Sequence, residues 1–166
     1  MKKILFLAIF LCLPTYSFSE DDSITRLGIN YVDLEVDYGW VDASVDGWGI
    51  SLDSAINSNV LLTLDWFKLE DANFNVISAN YAFGDLSEGA FTLGIARFDS
   101  DLADSSSSDV EIGYSKRSGE MDFTLGIITS EETTFRAKVM TPVGISFGVL
   151  TDGDVSLWNL GYDFKF

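Results

Sequence analysis

Apolar residues recur at every second position in segment after segment of this chain. That is the period of a β-strand whose two faces meet different surroundings. From about Gly28 to Trp40, Val32, Leu34, Val36, Tyr38 and Trp40 alternate with Asp33, Glu35 and Asp37. From Gly47 to Ile56, Trp48, Ile50 and Leu52 alternate with Gly49, Ser51 and Asp53; after the turn residues Asn57, Ser58 and Asn59, Val60, Leu62, Leu64 and Trp66 oppose Thr63, Asp65 and Phe67. The pattern continues through Ile77, Ala79, Tyr81 and Phe83, then Phe91, Leu93 and Ile95, then Val110, Ile112 and Tyr114 after a long Asp99–Ser108 connection. Met121, Phe123, Leu125 and Ile127 follow, then Phe135, Ala137 and Val139, then Val143, Ile145, Phe147 and Val149, and last Trp158, Leu160, Tyr162, Phe164 and Phe166. Pro142 has no N–H to give a ladder, so Thr141-Pro142 is read as a turn. Ten antiparallel strands result, with eight as the alternative if Pro142 lies inside one long strand. No helical period competes.

The N-terminus reads differently. Lys2 and Lys3 precede an apolar run from Ile4 to Leu13, Pro14 breaks it, and Ser17 and Ser19 offer small residues for cleavage. This predicts a secretory signal over 1–19 and one mature domain over 20–166. Cys12 is the only cysteine, so the mature chain would fold without disulfides, and losing Lys2 and Lys3 takes the formal charge from −16 to −18. With no cluster of Lys and Arg, nucleic acid is excluded as a partner. Beyond the signal no stretch reaches 18 apolar residues, which excludes a helical membrane span.

Alternation alone leaves open whether the apolar face points inward, as in a soluble barrel, or outward to lipid. Strand direction favours lipid. With odd strands running up and even strands down, Trp40, Trp48, Trp66 and Trp158 share one rim. Tyr81, Phe83, Phe91, Tyr114, Phe123, Tyr162 and Phe164 share the other, with Phe166. Two aromatic belts about an aliphatic band are what a bilayer selects. The expected fold is therefore all-β, a closed antiparallel transmembrane barrel.

With Phe166 ending an alternating strand Trp158–Phe166, and stretches such as DGWGISLDSAI before a turn, the chain resembles the small bacterial outer-membrane β-barrel proteins, the porin-like group that includes OmpX and the transmembrane domain of OmpA. The resemblance implies a Gram-negative outer-membrane location, Phe166 as an assembly signal read by the barrel assembly machinery, and contact with outer-membrane lipid and lipopolysaccharide. It implies no substrate.

Chemistry is sparse. The chain has no histidine, so the His-based hydrolases and acyltransferases built on such barrels have no base here. Asp99, Asp101 and Asp104 lack the spacing of a calcium loop. An enzyme, a metal site and a cofactor are not expected. The polar faces would place Asp33, Glu35, Asp37, Asp53, Asp65, Glu111, Asp122 and Asp163 in the lumen with Arg136, Lys138 and Lys165. Two roles remain open: a plug of paired charges, or a narrow cation-preferring channel, suggested by the excess of acids and by small lumen residues Gly94, Gly113, Gly126, Gly148 and Gly161. A soluble periplasmic ligand-binding barrel, and a surface interaction protein using the 99–108 loop, are the alternatives.

Overall fold

The computed structural model describes residues 24–37, 39, 42–57, 59–70, 72–101, 105–118, 121–129 and 133–166. The segment expected to be a signal, Tyr38, Trp40 and Asp104 lie outside them. Ten strands follow one another: β1 (Ile24–Asp37), β2 (Asp42–Asn57), β3 (Val60–Leu69), β4 (Asn73–Phe83), β5 (Ala90–Ser100), β6 (Ser105–Arg117), β7 (Asp122–Thr129), β8 (Thr133–Met140), β9 (Ile145–Thr151) and β10 (Val155–Lys165). Each pairs antiparallel with its neighbour in sequence, and β1 pairs with β10 to close the barrel. At the seam Phe166 N donates to Thr25 O at 2.8 Å and Asp37 N to Asp154 O at 2.8 Å. Closure leaves no edge along the shared height of the strands.

Counted through β2 to β5, Leu27 stands in register with Ser108 of β6. Counted through β10 to β7, it is Tyr31 that reaches β6, at Lys116. One circuit therefore shifts the register by about twelve residues, which for ten strands means a tilt near 40° and a backbone radius of roughly 10 Å. Both ends of the barrel chain lie at one rim, called lower here.

The connections are short. Thr141-Pro142 is a turn, as its missing donor requires: Gly144 N donates to Thr141 O at 3.0 Å, and Gly144 takes φ 87°, a left-handed conformation suited to glycine. The β4–β5 turn folds across the lower mouth, where Leu86 is buried with Ala55, Leu61, Ala82 and Ala90. Its carbonyl accepts Arg117 N at 2.7 Å. In the same turn the Ser87 N–H bonds the Asp85 carboxylate at 2.8 Å and holds that carboxyl below its ordinary pKa. The expected long connection is mostly strand: β5 runs to Ser100 and β6 starts at Ser105.

The faces exchange polarity partway up. On β1, Leu27, Ile29 and Tyr31 are exposed outside while Arg26 and Asn30 are buried inside; from Val32 upward, Val32 and Leu34 are buried inside. Asp33, Glu35 and Asp37 therefore face outward, which corrects their expected lumenal placement. The alternation itself holds, but its inner and outer members are swapped relative to the sequence expectation. The neighbours agree. On β3, Leu62 and Leu64 face out around Asp65, and above them Phe67 and Leu69 turn in and Lys68 turns out. On β10, Leu160 and Trp158 face out, and Leu157 is buried inside above them. Val32, Leu34, Phe67, Leu69 and Leu157 form one core, supported by Val36, Val45, Phe74, Leu150 and Val155. The upper barrel thus has a water-soluble protein's polarity, and the lower barrel has the reverse.

Phe67 is 3% exposed and stacks on Phe74 at 6.4 Å. Phe67→Ala should destabilise the barrel by about 3–5 kcal/mol. Urea unfolding followed by tryptophan fluorescence measures this, and a loss below about 1 kcal/mol would deny the upper core its role.

Candidate functional site: the barrel interior

Every lumen-facing glycine of the lower barrel that carries a close neighbour is covered by a side chain from the next strand. A Cβ at Gly161 would strike Asn30, one at Gly94 would strike Asn80, and one at Gly28 would strike Ser51 and Asp163. A Cβ at Gly126 would come within 2.7 Å of Glu111, and one at Gly148 within 2.8 Å of Asn159. Small residues were expected to leave room for ions. Here they let large polar side chains lie flat against the facing backbone and fill the bore.

Over that lining run ionic ties between distant strands. Arg117 clamps Asp53 with one nitrogen 2.7 and 2.8 Å from its two oxygens. Arg136 reaches Asp65 at 2.6 Å and Glu111 at 3.7 Å, and donates to Thr63 and Ser78 at 3.1 and 3.0 Å. Lys138 sits 3.3 Å from Asp163 and 4.0 Å from Asp53. Arg26 pairs with Asp122 and also meets the Met140 sulfur at 3.2 Å. Neutral groups extend the network: Asn80 donates to Glu111 at 2.8 Å, Ser51 to Asp163 at 3.4 Å, and Asn30 to Ser51 at 3.2 Å.

Of the expected lumen charges, Asp53, Asp65, Glu111, Asp122, Arg136, Lys138 and Asp163 come together in this network. Lys165 has the inward phase but is exposed at the lower rim beside Arg26. Two members went unforeseen. Arg26 precedes the expected start of the first strand at Gly28, and Arg117 lies beyond Tyr114, the last apolar residue of the sixth run; both keep the period-two phase of their neighbours, which was the available signal. The count changes the electrostatics. The network holds four cations, Arg26, Arg117, Arg136 and Lys138, against five carboxylates, Asp53, Asp65, Glu111, Asp122 and Asp163, instead of eight acids against three bases. A near-balanced bore lacks the acidic ring that cation selection needs. A cavity of about 10 Å³ among Asp53, Arg117, Asp122, Thr124, Lys138 and Met140 has room for one water.

The outer surface is the counterpart. Twenty-eight large apolar side chains are exposed among the described residues, where a soluble monomer shows patches of a few hundred Å² at most. Aromatic side chains cluster at both rims of the outer surface, with Trp40 outside the described residues. Below, Tyr81 meets Phe83 at 5.1 Å, Phe91 meets Tyr114 at 5.6 Å, Tyr114 meets Phe123 at 5.6 Å and Tyr162 meets Phe164 at 5.0 Å. Above, Trp48 meets Trp66 edge-on at 5.1 Å, and Phe147 meets Trp158 at 5.7 Å. The terminal Phe166 is 58% exposed on the outer side.

A closed even-stranded barrel, apolar outside and ionic inside, belongs to the transmembrane β-barrel class. Solved structures similar to this chain are Ail, the attachment invasion locus protein of Yersinia pestis, in complex with the heparin analogue sucrose octasulfate, and Neisserial surface protein A (NspA). Ail is 14% identical over 88% of this chain and 100% of its own, at a TM-score of 0.39. NspA is 15% identical over 87% and 96%, at 0.36. At such values the likeness adds no argument, and the class assignment rests on the faces of this barrel. No family model and no curated protein matches the sequence.

Removing one partner of a buried ion pair leaves the other charge desolvated, at about 3–5 kcal/mol. Arg136→Ala strands Asp65 and Glu111 and should cost that much in urea-unfolding stability, with Asp65→Asn in the same background restoring part of it. Additive losses from the two substitutions would deny the coupling.

Proposed function

We propose that the chain is an integral protein of a Gram-negative outer membrane, a sealed barrel with a structural role. Its lower rim, with both barrel termini, faces the periplasm, and its upper core stands in the external water. The observation that carries this reading is the shared level at which both faces exchange polarity. Below it the outer surface suits acyl tails, and above it the outer surface suits water, as a bilayer boundary would require. A soluble periplasmic barrel would have no use for an apolar exterior over an ionic bore.

Closure is supported at three levels of the axis. The apolar core of Val32, Phe67 and Leu157 fills the upper end, the paired charges fill the middle, and the Leu86 turn covers the lower mouth. Among the described residues these three layers occupy the axis, which supports the plug over the cation-preferring channel. Of the 99–108 segment, Asp99, Ser100, Ser105, Ser106, Ser107 and Ser108 are paired strand, and no surface interaction is assigned to it. No catalytic step is assigned. Phe166, at the seam, serves as the C-terminal assembly signal for the insertion machinery, and outer-membrane lipid and lipopolysaccharide are the surroundings of the outer face.

Two measurements test this. Purified protein in planar bilayers should stay electrically silent, and resolved cation-selective steps would overturn the sealed reading. Ile95, 61% exposed in the apolar band, should resist charge: Ile95→Lys should lower folding stability in lipid vesicles by about 2–4 kcal/mol. A neutral effect would deny that this face meets lipid.

A further inference from the structure

Three oxygens of the lower bore are buried with nothing to bond. Among the described residues Asn30 Oδ1, Ser146 Oγ and Asp163 Oδ2 have no hydrogen-bond partner, and their residues are 3%, 0% and 3% exposed. A buried polar group in that state is costly, and these three stand on one patch of the wall. Gly161 of β10 is the ladder partner of Asn30 on β1 and of Ser146 on β9, and Asp163 follows two residues later on the same face. A Cβ at Gly161 would strike Asn30 Oδ1, so that oxygen lies over bare backbone. The amide cannot be turned round to cure this. Ser51 Oγ donates its one proton to the Asp163 carboxylate at 3.4 Å, and must therefore accept from Asn30 Nδ2 at 3.2 Å. Asn30 Oδ1 is thereby held on the side of Gly161.

Positive charge is short at the same place. The network sets five carboxylates against four cations. Arg26 is held by Asp122, Arg117 by Asp53, and Arg136 by Asp65 and Glu111. Asp163 is left with Lys138 at 3.3 Å, which also serves Asp53 at 4.0 Å. Lys165, the next inward residue of β10, is exposed at the rim. β9 itself brings no charged side chain to the bore.

We propose that Asn30 Oδ1, Ser146 Oγ and Asp163 Oδ2 bind one monovalent alkali cation across the closing seam of the barrel. All three donors are oxygens, the set that hard cations take, and one carboxylate matches one positive charge. Calcium draws on about six to eight oxygens and more carboxylate charge than this patch offers. A water molecule would satisfy the oxygens and leave the fifth carboxylate uncompensated in a buried setting; the cation does both. It links the first strand to the last two and gives β9 an ionic tie to the bore. The site rests on the sealed bore, which the planar-bilayer recordings test separately.

The test is urea unfolding in phosphatidylcholine vesicles at constant chloride and ionic strength, with sodium or potassium replaced stepwise by the bulky cation N-methylglucamine. An ion that binds only the folded barrel raises the folded-to-unfolded ratio about tenfold per tenfold rise in its concentration once the site begins to saturate. Sodium or potassium should show that rise. Ser146→Ala, which keeps every charge, should shift it to higher ion concentration. Asp163→Asn, which removes the extra charge and whose amide can donate to Asn30 Oδ1, should abolish it. Heat-modifiable gel migration confirms that each variant folds, and Ser146→Ala decides alone if Asp163→Asn does not. Equal stability in all three cations overturns the site in favour of water. An unchanged ion dependence in Ser146→Ala overturns it too, because the ion then acts elsewhere.

Discussion

A barrel wall is one chain thick, and its side chains alternate between the two surfaces. Whatever medium lies outside therefore dictates what remains for the inside. Where the outer positions of the lower barrel are given to Leu, Ile and aromatic residues, the inner positions fall to Asp, Arg, Asn, Ser and Gly. With a radius of roughly 10 Å the bore cannot hold a broad water column to solvate those groups. They must satisfy one another, and the ties of Arg117 to Asp53 and Arg136 to Asp65 across the bore follow from that necessity. Above the level of Tyr31 the outside is polar and the same rule runs backwards. There Val32, Leu34 and Leu157 make an ordinary apolar core.

Glycine shows how misleading a lumen inventory can be without register. Gly94, Gly113, Gly126, Gly148 and Gly161 suggested open space because each lacks a side chain. In register each is the floor beneath a neighbour: Asn80, Thr92, Glu111, Asn159 and Asn30 respectively approach the place a Cβ would take. Alternating small and large residues across adjacent strands fills a narrow barrel without straining the larger side chains. An apparent channel lining is thereby a packing device, and it places Glu111 and Asn80 where they can meet each other and Arg136.

Much of the architecture was legible because period two survives noise. Ten strands follow from alternation, the Pro142 turn from proline's missing donor, and the outward faces of β2 to β10 from alternation taken together with the two aromatic rims. The first strand failed for a physical reason. Its run Val32, Leu34 and Val36 is the most regular apolar series in the strand, and one sign of face was assumed along its full length. That series lies in the upper barrel, where inside and outside have exchanged, so the most convincing alternation had the opposite meaning. Arg26 and Arg117 were missed at strand ends, where boundaries are poorly marked by sequence. Pairing across the bore was beyond reach, since Arg136 and Asp65 are 71 residues apart and no local pattern connects them.

The acidity of the chain then has a location. The bore is near balance, so the surplus that gives −16 overall lies elsewhere, in part on Asp33, Glu35, Asp37 and Asp46 of the exposed upper barrel. An unpaired carboxylate costs little in water and several kcal/mol when buried, so scarce cations are most useful inside. Four are there, each bound to an acid.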